Sequence, residues 1–242
     1  MSLFILNKSF FTYKHTMKKI IKTKDPVNQQ LISLENEKGL EKIGLMNSAV
    51  WHEDPKRLVF TLSRYKFVAK MLTGKNRVAE IGCGDGFGAR IVKQEVGQLT
   101  ITDYDSYFIK RFEDIVSEKY PISAVEHNIL EGPLGQKFDA IYSLDVLEHI
   151  PIEHEDVFVK NIINSLGSNG IVILGMPSIE SQTYASPASK EGHINCKTGK
   201  DLKLFLEKYF HNVLLFSMND EVVHTGFEKM AHYLFVICCG VR

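Results

Sequence analysis

One stretch constrains the fold of this chain more than any other: Arg77-Val78-Ala79-Glu80-Ile81-Gly82-Cys83-Gly84-Asp85-Gly86-Phe87-Gly88. Val78 to Ile81 is a short, mostly apolar run and reads as a buried strand. Glycines follow at alternate positions, and Ala89 to Val96 then reads as a helix. Glycine lets the main chain turn tightly at a strand end and lets a ligand approach the backbone closely. The helix that opens there aims free N–H groups and its positive end at the turn. The spacing is G-x-G-x-G, which differs from the G-x-G-x-x-G of dinucleotide sites, and no Lys-Ser/Thr pair of a phosphate loop follows. Glu80 would repel a pyrophosphate and suits a ligand with a cationic end. The competing reading is a tight strand–helix turn that holds nothing.

From Arg77 onward, strand and helix patterns alternate. The expected strands are Val78–Ile81, Leu99–Thr102, Ala124–Ile129, Phe138–Leu144, Gly170–Met176, Val213–Met218 and His232–Cys238. Helical patterns cover Ala89–Val96, Tyr107–Lys119, Glu155–Leu166 and Asp201–Phe210. Strands separated by helices of this length imply an α/β fold with a mainly parallel sheet covered on both faces. No helical period separates the last two strands, which suggests an antiparallel pair. Upstream, Pro26 to Leu72 is helical in pattern, with Leu58, Leu62, Tyr65, Val68 and Leu72 on one side of its last helix. Asp54-Pro55 reads as an N-cap followed by proline at the first helical position.

In an open α/β sheet, ligands sit outside the carboxyl ends of the strands. Glu80 to Gly86, Asp103, Asn128, Leu144-Asp145 and Pro177-Ser178 should therefore share one site. Asp103 can accept hydrogen bonds from a pair of ribose hydroxyls; its competing reading is a helix cap, a role for which Asp105 is better placed. Gly192-His193-Ile194-Asn195 follows a polar stretch, Ser178 to Lys190, that reads as a loop over the site. An imidazole there can act as a general base. His52 is a weaker candidate, and Trp51 either staples a helix to the core or lines a substrate mouth.

The glycine turn with its acid resembles motif I of the class I S-adenosylmethionine-dependent methyltransferases. Phe138 to Pro151, with Asp145-Val146-Leu147-Glu148-His149, and Gly167-x-x-Gly170 resemble the fourth- and fifth-strand segments of small-molecule members of that family. The resemblance covers roughly residues 77–178, with a weaker match over 192–210. It implies a Rossmann-like three-layer sandwich, with a seven-stranded, mostly parallel sheet, an antiparallel C-terminal strand and an N-terminal helical extension. It implies S-adenosyl-L-methionine as cofactor, held by Glu80, Gly82, Cys83, Gly84, Gly86, Asp103, Tyr104, Asn128, Ile129, Leu144 and Asp145. The family usually has an acid where this chain has Asn128, whose amide oxygen can still accept from an adenine amino group. His193 and His149 are the candidate catalytic residues. In some ubiquinone-pathway and RNA-end O-methyltransferases an acid-x-x-Glu-His segment, joined by a later histidine, helps hold a divalent metal. The expectation here is no metal, with Glu148 and His149 ordering the turn after the fourth strand.

At 242 residues, with 44% hydrophobic and 24% charged residues, the chain fits one α/β domain with an elaboration. The expected division is a flexible basic arm over 1–24 and one methyltransferase domain over 25–242, made of a helical cap (25–75) and a cofactor-binding core (76–242). The first 24 residues carry six lysines and no acid. Formal net charge is zero, so no overall basic field points to nucleic acid. A small-molecule acceptor is the expected partner, and a homodimer stays open. Four cysteines without metal-type spacing suggest a reducing, cytoplasmic compartment. No run of about 18 apolar residues exists to span a bilayer.

Overall fold

A computed structural model describes residues 22–242. Most of the basic arm expected over 1–24 lies outside the described residues. The chain divides into two compact units, Met1–Glu41 and Lys42–Arg242. In the first, Asp25 caps a 3-10 turn at Pro26–Asn28, and helix α1 (Gln29–Lys38) ends at Gly39 with φ +75°.

The second unit opens with α2 (Leu45–Glu53) and α3 (Pro55–Met71). Asp54 caps α3 by accepting from Lys56 N, with Pro55 at the first position, as its sequence requires. Alternation follows: β1 (Arg77–Ile81), α4 (Ala89–Lys93), β2 (Gln98–Asp103), α5 (Ser106–Phe112), β3 (Ser123–Glu126), β4 (Phe138–Leu144), α6 (Glu155–Ile163) and β5 (Leu166–Pro177). Then come α7 (Pro187–Gly192), α8 (Gly199–Leu206), β6 (Phe210–Asn219), β7 (Val222–His224) and β8 (Tyr233–Val241). The sheet order is β3-β2-β1-β4-β5-β8-β6-β7. The first five strands pair parallel, and β8 lies antiparallel between β5 and β6.

Side chains alternate across this sheet with the two-residue period of a strand. Ala79, Ile81, Ile141, Val172 and Leu174 join Phe158, Ile162, Leu202 and Leu206 on one face. Val78, Ala140, Tyr142 and Ile173 join Val68, Leu72, Ala89, Val92 and Phe112 on the other. Burying each large apolar side chain contributes about 1.5–3 kcal/mol. The three-layer α/β architecture expected from the sequence is therefore present.

Some boundaries differ from the expectation. An eighth strand, β7, pairs with β6 through the two-residue turn Asp220-Glu221. Asp220 takes φ +50°, a conformation that a short polar side chain tolerates. The helix expected over 107–119 stops at Phe112, because Ile115 turns into the core, where Arg90 Nη2 donates to its carbonyl at 2.8 Å. The stretch 178–190, read as a loop, contains a 3-10 turn at Glu180–Tyr184 and the start of α7, which Ser186 caps.

Candidate active site

The glycine turn leaves β1 with Gly82, Gly84 and Gly86 at φ of +72°, +52° and +70°, a region that disfavours every side chain. A Cβ at Gly82 would also lie 2.2 Å from Val146 Cγ2. The turn is tied to the neighbouring strand: Gly82 N and Cys83 N both donate to Thr102 O, at 2.8 and 3.0 Å. Asp103, at the end of β2, accepts from Gly84 N (2.9 Å) and from Asp105 N (2.9 Å). Burial pushes its carboxyl upward, and those backbone N–H groups oppose the push. Asp105 caps α5 through Tyr107 N at 2.8 Å, so Asp103 is released from that task. A carboxylate offers about four lone-pair positions, and Asp103 keeps unused acceptor capacity beside the turn.

Glu80 sits one layer behind the turn. It is fully buried, and its two oxygens accept from Tyr65 Oη and Tyr142 Oη, each at 2.8 Å. Burial drives its pKa up to about 7, and the two phenols pull against that rise. Cys83 is buried, with its thiol pushed well above the usual range. Tyr104 is exposed, directly after Asp103. Asn128 turns its amide oxygen to Leu130 N (3.0 Å) and its NH2 to Glu131 (2.9 Å), and Ile129 is buried beside it. Leu144 is buried at the end of β4. Asp145 follows at φ +57° and grips Arg64 Nη1 through both oxygens, at 2.8 and 2.9 Å. The Arg64 guanidinium lies 3.9 Å above the Tyr233 ring.

A second cluster follows β4. Glu148, His149 and His193 place their candidate ligand atoms within 4.8 Å of one another. Glu148 is fully buried, and neither carboxylate oxygen has a hydrogen-bond partner. Burial, and then Asp145, push its pKa well above the carboxylate range. His149 Nδ1 lies 2.9 Å from Gly192 O, a carbonyl that can only accept, so Nδ1 carries a proton and the neutral form of the ring has its lone pair on Nε2. His193 Nδ1 lies 2.9 Å from Gln182 Oε1, which imposes the same tautomer. The two rings meet edge to face at 5.0 Å. Burial, and then His149, hold the His193 pKa below its ordinary value.

Nothing in the sequence marks Arg64, Tyr65, Tyr142 or Gln182 as functional: Tyr65 is one member of an apolar stripe, and Arg64 beside it carries no pattern. Trp51 is exposed on α2 and is not stapled into the core.

A family model described as a methyltransferase domain matches residues 50–214. The chain is similar to a probable S-adenosylmethionine-dependent methyltransferase of Mycobacterium tuberculosis, 27% identical over 116 residues, covering 47% of this chain and 40% of the relative. It is similar to a ubiquinone biosynthesis O-methyltransferase of Xylella fastidiosa, 29% identical over 122 residues, covering 46% of this chain and 48% of the relative. These matches span less than half the length of either relative. In fold it is similar to the N-methyltransferase NodS of Bradyrhizobium japonicum, solved with S-adenosyl-L-homocysteine. That likeness has a TM-score of 0.60 and 15% identity, and covers 86% of this chain and 97% of that one.

Proposed function

We propose, since this chain belongs to the methyltransferase-domain family, that it moves a methyl group from S-adenosyl-L-methionine to an oxygen or nitrogen of a small hydroxylated or sugar-like acceptor. The observation that carries this reading is Asp103, fixed against the Gly84 amide with acceptor capacity to spare, at the mouth of a turn that only glycine can form. That spare acceptor capacity fits the two hydroxyls of a nucleoside diol. When bound, the cofactor supplies an electrophilic methyl carbon on a positively charged sulfur. The chain's own work is then mostly positioning, which can contribute roughly 7–11 kcal/mol. His193, whose pKa burial lowers and whose Nδ1 meets Gln182, is the group that takes a proton from the acceptor at Nε2. The free thiols of all four cysteines support a reducing, cytoplasmic setting. Among the described residues no helix is long and apolar enough to cross a membrane.

A second reading rests on the partnerless oxygens of Glu148. Glu148 with His149 and His193 forms a mixed carboxylate–imidazole donor set suited to a divalent cation, which would lower the pKa of an acceptor hydroxyl. His193 would then be a ligand and not a base. Formation of labelled product from labelled S-adenosyl-L-methionine, over a panel of small alcohols, phenols and amines, tests both readings. His193→Ala should slow turnover about 10²–10⁴-fold while leaving cofactor affinity unchanged. Turnover abolished by a chelator and restored by a divalent ion would select the metal reading. Cofactor affinity with no product from any acceptor would leave a binding module.

A further inference from the structure

Asp85 lies between the second and third glycines of the turn and is 3% exposed. Its Oδ1 accepts from Phe87 N at 3.2 Å, inside its own turn. Its other contacts reach back about forty positions. Oδ2 accepts from Met46 N (2.8 Å) and Asn47 N (3.1 Å), and Asn47 Nδ2 donates to both oxygens at 2.9 and 3.2 Å. Met46 and Asn47 are in the first turn of α2, whose own N-cap, Gly44, has no side chain to offer. Asp85 therefore does for α2 what a serine or aspartate at the N-cap usually does, and its charge faces the positive end of the helix. Gly44 is required by this arrangement: its φ is +79°, and a Cβ there would lie 2.5 Å from Asp85 Oδ2.

The cap seats α2 on the cofactor turn. A Cβ at Gly84 would lie 2.6 Å from Met46 Sδ, so the thioether rests directly on that glycine. Besides this cap, α2 packs against α3. None of its residues is buried, and Leu45, Met46 and Trp51 are about half exposed.

We propose that α2 is a cover over the cofactor turn and that Asp85 is its latch, a positioning residue that ties the seating of the cover to the shape of the turn. The inference rests on the reading that this turn binds S-adenosyl-L-methionine. A ligand on Gly82 to Gly86 enters and leaves as the cap opens, and a closed cap slows its escape.

Trp51 is the single tryptophan and lies on α2, so its emission reports this helix. The test follows S-adenosyl-L-homocysteine release by stopped-flow fluorescence, with calorimetric affinity and thermal melts alongside. The wild-type chain should bind with a change in Trp51 emission. Asp85→Ala should release the ligand about two- to thirty-fold faster, the range to which loss of an N-cap converts, with association no slower. Asp85→Asn, whose amide oxygen still accepts, should recover most of the wild-type behaviour. Gly44→Ala should resemble Asp85→Ala, and the double variant should be no worse than either alone. Gly44→Ala leaves the turn's own residues intact, so it carries the comparison if Asp85→Ala fails to fold. Binding without any emission change, or equal release rates across the series, overturns the latch while the cofactor reading stands. A wild-type chain that does not bind overturns both.

Discussion

Glu80 shows how one residue's place in the fold alters its chemistry. Sequence alone puts an acid before the glycines as the partner of a cationic group. The structure encloses it between two phenols, fully buried, with its pKa driven up to about 7. Below about pH 4.5 the group is protonated in folded and unfolded chains alike, and its contribution to stability is fully present. Between there and about pH 7 the unfolded chain gives up the proton while the folded chain keeps it, so stability falls as pH rises. The total loss is on the order of 3 kcal/mol. Glu80→Gln keeps an acceptor and a similar shape without a titrating proton. Melting temperature followed from pH 4 to 8 should therefore fall less steeply in Glu80→Gln than in the wild type; identical slopes would remove Glu80 as the source.

Among the elements, α3 brings the most to the site for the least visible signal. It delivers Arg64 to Asp145 and Tyr65 to Glu80 from adjacent positions. Its start is set by Asp54, which accepts from Lys56 N at 3.2 Å. Asp54→Ala should lower stability by about 1 kcal/mol, read as a shifted denaturant midpoint at an unchanged slope. No shift would mean that packing of Leu58, Val68 and Leu72 alone fixes where α3 begins. The cap and the apolar stripe of this helix were legible, because local hydrogen bonding and the 3.6-residue period are written in neighbouring residues. Arg64–Asp145 was not legible, since its partners are 81 positions apart and nothing local distinguishes that arginine from a solvated one. The same holds for Asp85 and α2, and for the two phenols on Glu80. The glycine turn and the Asp103 strand end were legible because backbone conformation and strand ends are encoded in sequence order. The eighth strand was missed because a three-residue edge strand carries too short an alternation to register, and its turn depends on one aspartate at positive φ.

At the scale of the whole molecule, the parallel half of the sheet places the ends of β1, β2 and β4 along one edge. Two buried layers fix those ends from both sides. Acids from three strand ends thus meet groups that are far away in sequence: Glu80 meets Tyr65, Asp103 meets Gly84, and Asp145 meets Arg64. Together these strand ends form the proposed pocket for a sulfonium nucleoside. The sharpest check is titration calorimetry with S-adenosyl-L-homocysteine on the wild-type chain and on Gly84→Arg. Saturable binding at one site is expected in the wild type. None is expected in Gly84→Arg, because the new side chain must take φ +52° and occupy the space between the turn and Met46. A wild-type chain that gives no heat of binding, or a Gly84→Arg variant that binds as tightly, would rule this pocket out.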